Sequence, residues 1–389
     1  MTRKLDATTI TRRSVLWLGT GLGVGALVGC SSSSTATPAA SASGSASAST
    51  SAAAAGNTKL SAGTYSATFT SSQSGPGGGG GTQKLSGAYL VDGIAATIDG
   101  GTWASTTADQ NVFLVVNGGS LTLKNATITK SGDSTNEDAC NFYGLNSAIL
   151  VVGDKSSATV TKCTVTTGSE GSNALFAAGS GSLTANTVTI ATTKNSSRGL
   201  DATYAGAITA QNMTIDTKGA HCACVATDRG NGTIKATGTN KLTAAGDGSP
   251  CIYSTGDISV SGATGSAATN SDATSSKATM TIANSTITTS GSVPMIYVTN
   301  TTCDVKVTGA TLTHPASTPL LSLAEDKWGT SGSNGGHATV TFSGCTLSGA
   351  LTAGSSSSAT LALTNDTKLT GTTSGSVTVT KDGTSSMGA

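Results

Sequence analysis

Thr189-Ile190-Ala191 and Thr214-Ile215-Asp216 stand 25 residues apart, and Thr286-Ile287-Thr288 and Thr311-Leu312-Thr313 repeat the interval. The same phrase reads Thr127-Ile128-Thr129, Thr164-Val165-Thr166, Lys241-Leu242-Thr243 and Thr346-Leu347-Ser348. One aliphatic between two hydroxyl-bearing neighbours is the alternation of a half-buried strand, with the aliphatic inward. A fixed period in this range signals stacked repeats, each too small to bury a core of its own.

The irregular intervals read as insertions or decayed copies. Ile128 to Val165 is 37 residues, and the surplus falls in the polar stretch 131–146, which composition assigns to a loop. Leu312 to Leu347 is 35, with the excess in the polar run 325–337. Leu242 to Ile287 is 45, close to two periods, with Thr264-Gly265-Ser266 as a weak copy between them. Thr68-Phe69-Thr70 and Thr97-Ile98-Asp99 extend the pattern upstream, and Lys368-Leu369-Thr370 extends it downstream.

Two further strands fit inside each period. One runs over 121–123, 158–160, 183–185, 208–210, 280–282, 305–307 and 338–340. The other runs over 149–151, 175–177, 200–202, 224–226, 252–254, 296–298 and 321–323. Gly-rich turns such as Asn117-Gly118-Gly119 separate them. Three short strands per coil of about 25 residues predict an all-β fold, a parallel β-helix solenoid. The general rule for parallel crossovers makes it right-handed. A propeller blade needs four strands in about 40 residues. A leucine-rich repeat needs a Leu/Asn consensus and a helical return, and the chain has neither. A β-sandwich array is the remaining alternative.

Of 389 residues 51 are Gly, 11% are charged and 4% aromatic, too little large apolar material for one globular core. A solenoid needs only a narrow column of small aliphatics. Length alone suggests two or three domains. The unbroken repeat instead argues for one domain over 60–389, of about a dozen coils.

The N-terminus reads as a targeting segment. Arg3, Lys4, Arg12 and Arg13 precede an apolar stretch over 15–28. Thr11-Arg12-Arg13-Ser14-Val15-Leu16 resembles the twin-arginine export motif, and Leu27-Val28-Gly29-Cys30 resembles the lipobox of bacterial lipoproteins. These resemblances imply a signal over 1–30, lipidation at Cys30 and an extracytoplasmic chain anchored to the bacterial membrane or surface. An uncleaved anchor is the alternative, but the stretch is short and Gly-rich for a span. Residues 31–59 are nearly all Ser, Ala and Thr, the composition of a flexible tether. A second flexible stretch, 74–81, holds Pro76 and five consecutive glycines and divides a small cap from the main coils.

Four basic residues and Asp6 go with the signal, leaving 17 Lys plus Arg against 19 Asp plus Glu and no basic stripe. That balance excludes a nucleic-acid partner. Seven cysteines remain after Cys30, an odd number with no disulfide framework. Cys163 and Cys345 share a repeat column with Ala126, Val188, Met213, Ser285 and Ala310, which makes them core fillers.

The densest chemistry lies in three consecutive coils, aligned on Leu200, Cys224 and Ile252. That alignment gathers Arg198, Asp201, Tyr204, His221, Asp228, Arg229 and Asp257 onto one surface patch, with Arg229 beside Asp257. Phe176, Asp201, Tyr253 and Tyr297 form one outward column, and Thr203, Thr227, Thr255 and Thr299 an outward ladder. Aromatic faces with carboxylate and guanidinium partners suit a carbohydrate site, so Tyr253 and Tyr297 join the candidates. The bland reading is charge pairing at coil edges, worth about 0.2–1 kcal/mol per pair. His221-Cys222-Ala223-Cys224 invites a metal, yet alternation turns both cysteines one way and His221 the other, so no metal or other cofactor is assigned.

The repeat resembles the pectate-lyase-like β-helix superfamily over residues 60–389. That resemblance implies either lyases with an acidic calcium cluster and an Arg or Lys base, or hydrolases with paired aspartates. Asp201, Asp228 and Asp257 with Arg198 or Arg229 are the group able to imitate either, but they lie on different coils, and fold alone confers no activity. The Thr faces resemble ice-binding surfaces, interrupted by Ala191, Asp216, Lys241 and Lys368. Signal, lipobox, tether and repeat together resemble the Ser/Thr/Gly-rich β-helix lipoproteins and adhesin-like proteins of bacterial surfaces. The expectation is a lipid-anchored protein binding glycans or other surface ligands without catalysis. A polysaccharide lyase or glycoside hydrolase is the alternative, and ice binding a remote one.

Overall fold

The central aliphatics of the repeated phrase pair in register from coil to coil, Ile128 with Val165, Val165 with Ile190, Ile190 with Ile215 and Ile215 with Leu242. The computed structural model describes residues 56–71, 81–267, 278–327 and 329–389. Within them the chain is a parallel β-solenoid of about 11 turns with about 25 residues per turn. The signal over 1–30, most of the tether and most of the Gly-rich stretch over 74–81 lie outside the described residues. The end of the expected tether does not: Asn57 and Thr58 hydrogen-bond to Asp99 and Thr97 at the edge of the first coil.

Among the described residues the strands form three walls. The Thr–aliphatic–Thr wall is a nine-stranded sheet from Thr102–Ser105 to Thr311–Thr313, continued by three strands from Thr346–Ser348 to Ser386–Gly388. The second wall is a twelve-stranded sheet from Ala95–Asp99 to Val377–Lys381. The third is an eight-stranded sheet ending at Ile252–Ser254, then a separate four-stranded sheet opening at Ile296–Val298. The inward column is continuous, with Ile190, Leu200, Ile215, Ile252, Ile282 and Leu321 all buried in one core. The weak copy over 264–266 is a strand of the first wall, Ala263–Ala267.

Three sequence readings shift. Thr97-Ile98-Asp99 belongs to the second wall, and Trp103 takes the first-wall place opposite Ile128. Thr68-Phe69-Thr70 is no coil but part of Tyr65–Thr70, which runs antiparallel to Thr82–Asp92. The stretch over 131–146 contains helix α1, Glu137–Tyr143. Its N-cap Asn136 accepts from the Ala139 amide, Glu137 and Asp138 lie in its first turn, and Gly144 closes it in the left-handed region.

Helix α1 exists because the third wall is apolar on both faces where it sits. Asn111–Val116, Ile149–Val152 and Leu175–Ala178 are buried at every position, the pattern of strands covered on both sides. Outward Leu114, Leu150 and Phe176 pack with Ala139 and Cys140 of α1, and with Phe69 and Leu85, as a second core outside the solenoid.

The stacked aliphatic, rather than the flanking threonines, should carry the coil. Ile215→Ala is expected to cost about 2–5 kcal/mol and exposed Thr214→Ala no more than about 0.5 kcal/mol. Denaturant unfolding of the two variants checks this, and equal losses would contradict it.

Candidate ligand-binding pocket beside helix α1

The predicted surface patch is mostly interior. The third-wall register pairs Leu200 with Val225, one residue beyond Cys224, and Val225 with Ile252, so that Asp201, Ala226 and Tyr253 stack in one column. Asp201 is fully buried, and Arg198, Tyr204 and Asp228 are buried with it. The reason is helix α1 and the strand over 65–70, which roof this part of the wall. Tyr204 packs its ring 5.8 Å from Phe69 and 5.4 Å from Tyr143. The Arg229 guanidinium lies 3.5 Å over the Phe142 ring, and Thr203 donates to the Phe142 carbonyl at 2.8 Å. Thr203, Thr227, Thr255 and Thr299 are buried too, and no outward ladder exists. Thr227 instead accepts from the Thr255 and Gly256 amides.

The other expected members lie apart. Asp257 is exposed on the second wall, opposite Thr233 and Thr279, and not beside Arg229. Tyr253 is half-buried, with the Arg198 guanidinium 5.8 Å from its ring centre. Tyr297 stands on the separate four-stranded sheet, where its hydroxyl donates to Asp326 at 3.2 Å. Phe176, Asp201 and Tyr253 therefore share a column that Tyr297 does not join.

Arg198 bridges Asp201 at 2.8 Å and Asp228 at 3.0 Å, one guanidinium between two carboxyls. Burial pushes the Asp201 carboxyl up to about 8, against the pull of Arg198. Burial raises Asp228 as well, again against Arg198. Asp201 Oδ1 is buried without a hydrogen-bond partner, which fits a carboxyl that keeps its proton. This cluster anchors the wall beneath the roof and is closed to a polymer.

What does open to solvent is a polar pocket of about 350 Å³ beside α1. Three successive turns build its wall at the coil period. Glu170, Asn195 and Ala220 form one column, and Gly171, Ser196 and His221 the next. Gly171, Ser196 and His221 all have left-handed backbone, with φ of 69°, 52° and 57°. Glycine suits that position, and at Gly171 it is required, because a Cβ there would lie 2.6 Å from Cys140 Sγ. Ser196 and His221 hold the same conformation with side chains, which costs of order 1 kcal/mol each.

Those side chains meet the helix. Ser196 Oγ donates to Glu137 Oε1 at 2.5 Å, and His221 Nδ1 lies 3.8 Å from the same oxygen. Asn195 accepts from the Ala220 amide at 2.9 Å, leaving its NH₂ to donate. The Glu170 turn is strapped to the insertion. Its amide donates to Asp133, and its carbonyl accepts from the Ser134 amide and Asn146. The wall is fixed while its polar tips face solvent.

Of the expected site residues, His221 alone lines the pocket, together with the unforeseen Glu137, Glu170, Asn195 and Ser196. Two signals were present: the 25-residue offsets among these turns, and the Asn136-Glu137-Asp138 start and Gly144 stop of a short helix. Cys222 and Cys224 are buried on the core side of His221, and burial pushes the Cys222 thiol up to about 11. All seven described cysteines are free and buried. Among the described residues no group of three or more His, Cys, Asp or Glu is placed to hold a metal ion.

Asp201 binds its proton more tightly folded than unfolded. Its contribution to stability is present below about pH 4 and is lost as pH rises through about 8. Asp201→Asn, neutral throughout, should flatten this dependence: between about pH 5 and pH 9 the wild-type Tm falls further than the variant's. Superimposable profiles would mean that Asp201 is ionised across the range. No protein family, no curated protein and no solved structure matches the chain.

Proposed function

We propose that this chain is an exported, lipid-anchored β-solenoid that binds glycans in the pocket beside helix α1, without catalysis. The observation that carries the reading is the pair of strained turns. Where the coil geometry favours glycine, Ser196 and His221 instead bring a hydroxyl and an imidazole to a polar pocket. Carboxylates, an amide and hydroxyls within about 350 Å³ suit the dense donor–acceptor pattern of a sugar.

Export and anchoring rest on Arg12, Arg13 and Cys30 and on the Ser/Ala/Thr tether that follows. Membership of the pectate-lyase-like superfamily belongs to the same reading, as the ancestry of the scaffold. Binding is favoured over polysaccharide cleavage because the aspartates able to imitate a catalytic pair are withdrawn. Asp201 and Asp228 are buried on Arg198, and Asp257 stands on another wall.

The strained turns supply a clean test. Ser196→Gly and His221→Gly relieve left-handed backbone while removing the polar tips, so Tm should hold or rise. On a glycan array the purified full chain in detergent should bind, and the double variant should bind at least about tenfold more weakly, a difference of about 1.4 kcal/mol. Equal binding by a folded double variant would remove the pocket as the site.

A further inference from the structure

We infer that the pocket selects an amino sugar with a free ammonium group, with Glu137 and Glu170 as its counter-charges. The inference rests on the pocket being the glycan site and adds the chemical class of the ligand.

The lining is short of positive charge. Glu137 and Glu170 both line the pocket, and no Lys or Arg does. The neighbouring Lys218 pairs with Asp216 instead, at 3.8 Å. Glu137 has one oxygen engaged by Ser196 and approached by His221, which leaves the other free to accept. The Glu170 carboxylate makes no hydrogen bond or ion pair among the described residues, although its backbone is fixed at both ends. Two carboxylates are thus held at one concavity, one of them unspent, with no Lys or Arg in the lining.

Three classes of sugar meet this lining differently. A uronate or other acidic sugar brings a third negative charge and is repelled. An N-acetylated sugar brings no charge and leaves the two carboxylates without a counter-charge. A free ammonium donates charge-assisted hydrogen bonds to both carboxylates. The ring hydroxyls then meet Asn195, Ser134 and Ser196. With no Phe, Tyr or Trp in the lining to stack on the sugar face, charge matching becomes the selective element.

The test is calorimetric titration of the purified full chain in detergent with three tetramers: glucosamine, N-acetylglucosamine and galacturonic acid. The glucosamine tetramer should bind at least about tenfold tighter than either of the others. Glu170→Gln, which breaks no contact among the described residues, should erase that preference at unchanged Tm. Asp154→Asn removes an exposed carboxylate outside the pocket and should leave the preference intact. If Asp154→Asn lowers glucosamine binding as much as Glu170→Gln does, the attraction is diffuse and the inference fails. It also fails if the acetylated or acidic tetramer binds as well, or if Glu170→Gln keeps the preference. Glycans bound on the array with no amine preference overturn this inference alone. A chain that binds no glycan at all overturns the proposed function with it.

Discussion

The in-register stacking of one coil on the next is the constraint from which the rest of the molecule follows. Each inward aliphatic buries itself against the copies above and below, and the backbone ladders hold neighbouring strands about 4.8 Å apart. No coil can bury its apolar face alone, so register is enforced by the whole column. A residue at one place in a coil is therefore delivered to the same place in the next. Pocket and roof are both consequences. The turns at 170, 195 and 220 and those at 171, 196 and 221 present their side chains as two parallel columns because the backbone beneath them repeats.

A perfectly regular solenoid would offer walls and little concavity. Concavity arises where the repeat is interrupted, at the surplus between Ile128 and Val165. Those residues fold back as helix α1 over the third wall and turn its outer face into a second core. Covering that face has a consequence for charge. Arg198, Asp201 and Asp228, at positions that are solvated elsewhere on such a wall, become a dry cluster that survives by mutual pairing. Arg229 on Phe142 and Thr203 on the Phe142 carbonyl then tie the helix to the wall. The rim of the helix, not its face, meets the turn columns, and there the pocket opens.

This division explains what was legible in the sequence. The first wall was readable because its alternation is strict: Thr189-Ile190-Ala191 and its copies keep one aliphatic between exposed or half-exposed neighbours. The third wall was not. In Cys224-Val225-Ala226 every residue is small, apolar and buried, so nothing marked which pointed inward, and an offset of one residue reversed the faces. Asp201 does face outward, in register with Phe176, and it is the roof that buries it. The runs Val112–Val116, Ile149–Val152 and Leu175–Ala178 lack polar alternation, and that lack is the local trace of a roof. What covers them comes from a segment whose composition is polar and whose short helix is legible only through its caps. The pocket escaped notice because its residues belong to turns, where the strand period carries no information, and only the 25-residue offset links them.

The same stacking explains why concavity concentrates at the turns. Inward positions are committed to the core, and outward strand positions on a flat wall form no concave surface. At the turns the backbone can be left-handed without disturbing the ladder on either side, so a side chain can be changed at the cost of local strain alone. Gly171 cannot use that freedom because Cys140 of the helix is too close, and in the coil beyond His221 glycine returns at Gly248 with φ of 60°. Between these two glycines only Ser196 and His221 carry side chains, and both approach Glu137. Left-handed backbone carrying a side chain recurs at other turns, Asn125, Lys162 and Thr187 among them, so what sets Ser196 and His221 apart is that both line the pocket and both approach the helix.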